Sequence, residues 1–367
     1  MATTNPAPPV SSLTPPHPTR IAETVRSKLP FHGTFASLTP LAGDASNRRY
    51  FRVGLKGTCP SSVILMQLAE AEGFKQSEEA VSGASVQINE LPFTNVRSHL
   101  EAIGVAVPVL YYDDREAGLL YLEDFGDVTL AEACHAAERS RVETLYRRAV
   151  EGLVLIQAKG TSPRNPACIA FHRGFDAPLL MWEFEHFMEY GVLARQGKPM
   201  RADDGTVIRQ EFQKIAELLA GQPQVFVHRD YHSRNLMVDG ERLGVIDFQD
   251  ALMGPCSYDL ASLLRDAYIQ LDEGLIDDLI ACFWHGMKRH DAGMTDRATF
   301  RRLFDLTSIQ RNLKAAGRFV YIDQVKHNPK FLADIPRVLG YVQRNLLKYP
   351  ELSTLQKHLA PYVPELQ

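Results

Sequence analysis

Residues 225–250 read VFVHRDYHSRNLMVDGERLGVIDFQD, a polar knot between two apolar triplets, then an Asp-Gly turn signal and a third apolar run. The chain on either side has helical periodicity, and this stretch interrupts it with short β-type runs that flank the turn signal. Placing Asp239 to Arg242 at the tip of a tight hairpin sets Val238 opposite Leu243. Counting back along both strands, Asn235 falls opposite Ile246 and beside Asp247. An amide oxygen and a carboxylate then converge, and Asp230 sits upstream on the loop that leaves the strand VFV.

A few oxygen ligands, with the remaining positions left to water and phosphate, suit Mg²⁺. The same residues match H-R-D-x-x-x-x-N followed by D-F, the spacing by which kinases place a hydroxyl, a metal ion and a transferable phosphoryl group. In that pattern Asp230 takes the proton of the acceptor hydroxyl, Asn235 and Asp247 hold Mg²⁺, and His228 braces the loop. Taken singly, Asp230 and Asn235 are ordinary turn caps and His228 an ordinary buried histidine. Their joint spacing carries the catalytic reading.

Before this segment the chain changes character. A proline-rich tail, residues 1–20, has neither helix nor strand signals, and residues 21–125 mix a short helix with several apolar strand candidates. From Thr129 onward helical periodicity dominates, so a boundary is expected at Gly126 and residues 126–367 form a second, mainly helical lobe. A chain of 367 residues with 45% hydrophobic residues can bury two such cores. The fold class that follows is α+β, with a mixed N-terminal lobe and a helical C-terminal one.

Composition narrows the setting. A formal net charge of −4 provides no field to collect nucleic acid or an anionic membrane. Five scattered cysteines without a C-x-x-C pair argue against a disulfide framework or a zinc site. No uncharged apolar run approaches the roughly 18 residues of a membrane span. The expectation is a cytoplasmic monomer.

The stretches FVHRDYHSRNLM and GVIDFQDALMGPCSYDLASLLRDAY resemble the aminoglycoside phosphotransferase-like kinases. Within that superfamily LAGDASNRRYFRV, residues 41–53, resembles the nucleotide hairpin of the bacterial anomeric N-acetylmuramate/N-acetylglucosamine kinases of cell-wall recycling. The resemblance implies the bilobal protein-kinase-like fold, ATP and Mg²⁺ as cofactors, and an amino sugar as the phosphate acceptor. It assigns the nucleotide to Gly43, Asp44, Ala45, Ser46 and Asn47 at the hairpin tip, with charge from Arg48, Arg49 and Arg52, and to backbone near Glu123 in the lobe connection LYLEDFGD. Asp259 either braces the catalytic loop or caps its own helix. The strand lysine of the general kinase pattern is replaced by Met66 and Gln67, so an arginine of RRYFR or Lys75 must supply that charge, or nucleotide affinity is poor.

The acceptor's charge stays open at the level of sequence. Arg311, Lys314 and Arg318 share a helix face by their spacing and suit a substrate carboxylate. Glu183 and Asp266 suit amines or sugar hydroxyls instead. Two other functions therefore stand beside the amino-sugar kinase: an aminoglycoside or amino-alcohol kinase, and a nucleotide-binding module without turnover.

Overall fold

In the strand RYFRVGLK the side chains alternate, with Phe51, Val53 and Leu55 buried and their neighbours more exposed. That period of two is what a strand with one covered face requires. The computed structural model describes residues 15–41, 48–68, 90–291 and 294–367. Helix α1 (Pro18–Ser27) leads into β1 (Thr34–Leu41), β2 (Arg49–Lys56) and β3 (Ser62–Gln67). With β4 (Leu110–Asp114) and β5 (Leu119–Leu122) these form one antiparallel sheet in the order β1-β2-β3-β5-β4. Ile21, Val25 and Leu29 of the α1 region pack on Phe51, Val53, Val63, Leu65 and Tyr121, closing one core.

The expected hairpin is present, with Thr34 paired to Lys56 and Leu41 to Tyr50. Its tip lies outside the described residues, and the roles expected of Gly43, Asp44, Ala45, Ser46 and Asn47 fall there, as does Lys75. The tail ends earlier than residue 20. Helix α1 starts at Pro18, because proline is favourable at a first helical position and the His17 side chain accepts the Thr19 amide.

The chain divides into two compact units, Met1–Gly73 with Pro108–Asp124, and Phe74–Val107 with Phe125–Gln367. Besides the boundary at Asp124, the described residues 90–107 fall in the second unit. Helix α2 (Pro92–Ala102) belongs to the second unit because its inner face is matched there. Phe93 stacks on Phe248 at 5.0 Å, Asn95 Nδ2 donates to the Ala167 carbonyl at 2.8 Å, and Asn95 Oδ1 accepts the Ile169 amide at 2.8 Å.

The second unit is mainly helical. After α3 (Leu130–Cys134), α4 (Arg139–Thr161) and α5 (Ala177–His186), a π-helical segment covers Phe187–Ala194, followed by α6 (Ala202–Ala220). Short strands β6 (Gln224–Val227) and β9 (Leu252–Pro255) pair with one another, as do β7 (Leu236–Asp239) and β8 (Arg242–Val245). The helices α7 (Tyr258–Leu264), α8 (Glu273–Lys288) and α9 (Arg297–Lys326) complete the part that matters for the site. Helix α9 approaches the π-helical segment so closely that a Cβ at Gly317 would lie 2.8 Å from the Phe187 Cα, a separation only glycine allows. Among the described residues no helix is long and apolar enough to cross a membrane.

Candidate active site

The hairpin register is the one its turn dictates. Val238 faces Leu243, Leu236 faces Val245, and one step further the Ile246 amide donates to the Asn235 carbonyl at 3.1 Å. Asn235 and Asp247 therefore lie at adjacent positions on neighbouring chain segments. The Asn235 amide nitrogen donates to the Asp230 carbonyl at 2.9 Å, which leaves its oxygen as the free end of the group. Asp247 is exposed, takes a left-handed backbone with φ 63°, and accepts from Gln249 Nε2 at 2.7 Å.

His228 ties the two segments together. It is buried, its Nε2 lies 3.0 Å from the Ile246 carbonyl and its Nδ1 lies 3.3 Å from the Asp230 amide. Both contacts are satisfied at once only by a neutral ring protonated on Nε2. Burial lowers the pKa of this histidine, although Asp230 and Asp247 pull the other way, so the neutral form is favoured.

The turn after β6 is strained, with Arg229 at φ 83°. Asp259, wholly buried in the first turn of α7, holds it there by accepting the amides of His228 at 2.7 Å and Arg229 at 2.9 Å. Of the two uses its sequence position allowed, bracing of the loop is the one the structure shows. Burial pushes the Asp259 carboxyl up to about 7, against the two amide bonds that pull it down.

The Asp230 side chain keeps 41% of its surface exposed. Burial of its surroundings raises its pKa, but Lys314, Arg311, His232 and Arg229 outweigh that and hold the carboxyl below the usual range. The ionised form is therefore favoured. Arg311 Nη2 stands 3.6 Å from Asp230 Oδ1.

Of the expected substrate residues, Glu183 and Asp266 are turned inward. Glu183 is fully buried and contacts Lys314 Nζ at 2.7 Å, Gln310 Nε2 at 2.7 Å and Arg229 Nη2 at 3.3 Å. Asp266 accepts the amides of Ser233 and Tyr268 at 2.9 and 3.0 Å, so it braces the loop that carries Asp230. Arg311, Lys314 and Arg318 do share the inner side of α9, but only Arg311 reaches Asp230, while Arg318 lies 4.8 Å over the Tyr321 ring.

In the first unit, Arg52 is bound at 2.6 and 3.1 Å to Asp124, which also accepts from Ser62 Oγ at 2.6 Å. Arg49 lies 5.2 Å over the Phe51 ring. Glu123 exchanges bonds with Val109 through its amide at 2.8 Å and its carboxylate at 3.1 Å. Met66 and Gln67, in place of the strand lysine, are both buried.

Residues 37–288 match the model of the phosphotransferase enzyme family. The chain belongs to this family. A curated relative from Neisseria meningitidis, named N-acetylmuramate/N-acetylglucosamine kinase, is 32% identical over 93% of each chain. One of the same name from Pseudomonas aeruginosa is 31% identical over 89% of this chain and 88% of its own. Among solved structures, the choline kinase of Cryptosporidium parvum superposes with a TM-score of 0.60 at 12% identity, covering 92% of this chain and 99% of the other. A spectinomycin phosphotransferase solved with ADP and spectinomycin gives 0.58 at 11% identity over 94% and 99%. At such identities these two establish the fold alone, the α+β protein-kinase-like class.

Several contacts of this phosphotransferase carried no sequence signal. Gln310 and the Arg229–Glu183 pair are joined across 127 and 46 positions, and Arg52 reaches Asp124 across 72, separations that no periodicity reports. His186, beside this cluster, is 7% exposed, stacks on Trp182 at 6.0 Å and is held at a pKa of about 3 by burial, with Arg318 and Lys314 adding to it. Its folded pKa lies below the unfolded value of roughly 6.5, so its neutral form favours folding above that pH and is a growing liability as pH falls. His186→Phe is expected to flatten the acid loss of stability, by about 2 kcal/mol at pH 5 relative to pH 7. Denaturant unfolding at both pH values measures it, and an unchanged difference between them refutes the assignment.

Proposed function

We propose that this phosphotransferase transfers the terminal phosphoryl group of ATP to the anomeric hydroxyl of N-acetylmuramate or N-acetylglucosamine, giving the sugar 1-phosphate. Asp230 takes the proton of that hydroxyl, whose oxygen forms the new bond to phosphorus as the bond to ADP breaks. The observation that carries the reading is an ionised, half-open carboxylate flanked by Arg311, Lys314 and Arg229. Such surroundings repel a polycationic aminoglycoside or an amino alcohol and accept an acidic or neutral sugar. The names of the relatives support the same acceptor.

Mg²⁺ fits the residues present. The Asn235 amide nitrogen is engaged by the Asp230 carbonyl, so its oxygen is the end left to ligate, and Asp247 adds an exposed carboxylate at the neighbouring position. Two protein oxygens with the rest from water and phosphate match the preference of this ion. When bound, it would offset charge on the phosphates. His228 and Asp259 keep the loop in place for both groups. Gly43 to Asn47, Arg49 and the backbone near Glu123 keep their nucleotide role in this proposal. Arg52 is already paired with Asp124 and has a structural use beside it.

The test is ADP release with MgATP across N-acetylmuramate, N-acetylglucosamine, glucose, kanamycin and choline, with the product located by NMR. Phosphate on the anomeric carbon of an N-acetylated sugar is the expected result. Turnover confined to the amines, or silence on all five, overturns the reading.

A further inference from the structure

Arg311 is 8% exposed, yet its guanidinium donates no hydrogen bond among the described residues. Its Nε is sealed from solvent without a partner, and the 3.6 Å to Asp230 is too long for a hydrogen bond. The Tyr258 ring, 6.0 Å from Cζ, offers only a weak face contact. A buried planar fork of five donors normally meets a carboxylate or phosphate bidentately. The other cations on the same side of α9 are engaged: Lys314 holds Glu183 at 2.7 Å and the Tyr258 hydroxyl at 3.2 Å, and Arg318 lies over Tyr321. Asp230 does not complete Arg311, since it is half open and stands among Lys314, Arg229 and His232 as well.

We infer that Arg311 receives a carboxylate carried by the acceptor and thereby sets the preference of this enzyme for an acidic over a neutral amino sugar. The inference rests on the proposed function, in which Asp230 faces the acceptor. It narrows the three basic residues of α9 to one. A carboxylate on the acceptor and the transferring phosphoryl group share the chemistry a guanidinium binds, and only the first changes with the acceptor.

The experiment compares kcat/KM for N-acetylmuramate, its methyl ester and N-acetylglucosamine in the wild-type protein, Arg311→Gln and Arg311→Lys. Wild-type protein is expected to favour the acid over the ester by about 10- to 100-fold, the range of one charge-assisted contact. In Arg311→Gln that ratio should collapse to about 1, and Arg311→Lys should retain part of it. Equal losses on all three sugars with the ratio intact place Arg311 on the phosphoryl group or on Asp230 and overturn the inference. A wild-type protein indifferent to esterification overturns it without any variant, so a poorly folded Arg311→Gln does not decide the matter. Wild-type protein inactive on all three overturns the amino-sugar reading and this inference with it.

Discussion

Asp230→Asn is expected to lower kcat by about 10²- to 10⁴-fold, the usual contribution of a positioned base. The change should be confined to chemistry. The loop contacts of Asp230 are made by its main chain: its amide faces His228 Nδ1, and its carbonyl accepts from Asn235 Nδ2 and from the His232 amide. Asparagine preserves all three and removes only the proton acceptor. Because the side chain is 41% exposed, its ion pair with Arg311 is screened and little stability is at stake. The apparent KM for MgATP should move by less than about 3-fold, since Asn235 and Asp247 are untouched. Steady-state rates at saturating amino sugar decide it, and a kcat within about 10-fold of the wild-type value removes Asp230 from the role of base.

The second large effect is expected at a residue that need not touch substrate. Asp259→Ala strands two main-chain donors, the amides of His228 and Arg229, in a place where water does not reach Asp259 itself. An unsatisfied buried donor costs about 1–3 kcal/mol, so the pair should cost about 2–6 kcal/mol in unfolding free energy. Arg229 at φ 83° also loses the bond that holds its strained backbone, and the turn that presents Asp230 relaxes. Activity at a temperature where the variant is still folded should fall by about 100-fold or more, because a base displaced by an ångström loses its alignment. Asp259→Asn retains one acceptor oxygen and should lie between the two. Denaturant unfolding together with kcat is the measurement, and a loss below about 0.5 kcal/mol would show that the brace is dispensable.

What the sequence determines here is local. The Asp-Gly turn and the period-two pattern on either side fix the β7–β8 register, and through it the adjacency of Asn235 and Asp247, because pairing across a tight turn leaves no alternative alignment. The same holds for the short helix α1 and for the hairpin of β1 and β2. Charge is different. Glu183, Asp266, Arg311, Lys314 and Arg318 are alike in the sequence, as ionisable residues on or just after helical stretches, and nothing in their spacing distinguishes a ligand from a strut. That distinction depends on which helices meet. The contact of Gly317 with Phe187 brings α9 against the end of α5, so that Glu183 meets Lys314, Gln310 and Arg229 and disappears from solvent. Arg311, on the same helix, is carried to Asp230 without a full complement of acceptors. A buried charge takes its role from the partners that packing supplies, and those partners stand tens to more than a hundred positions away.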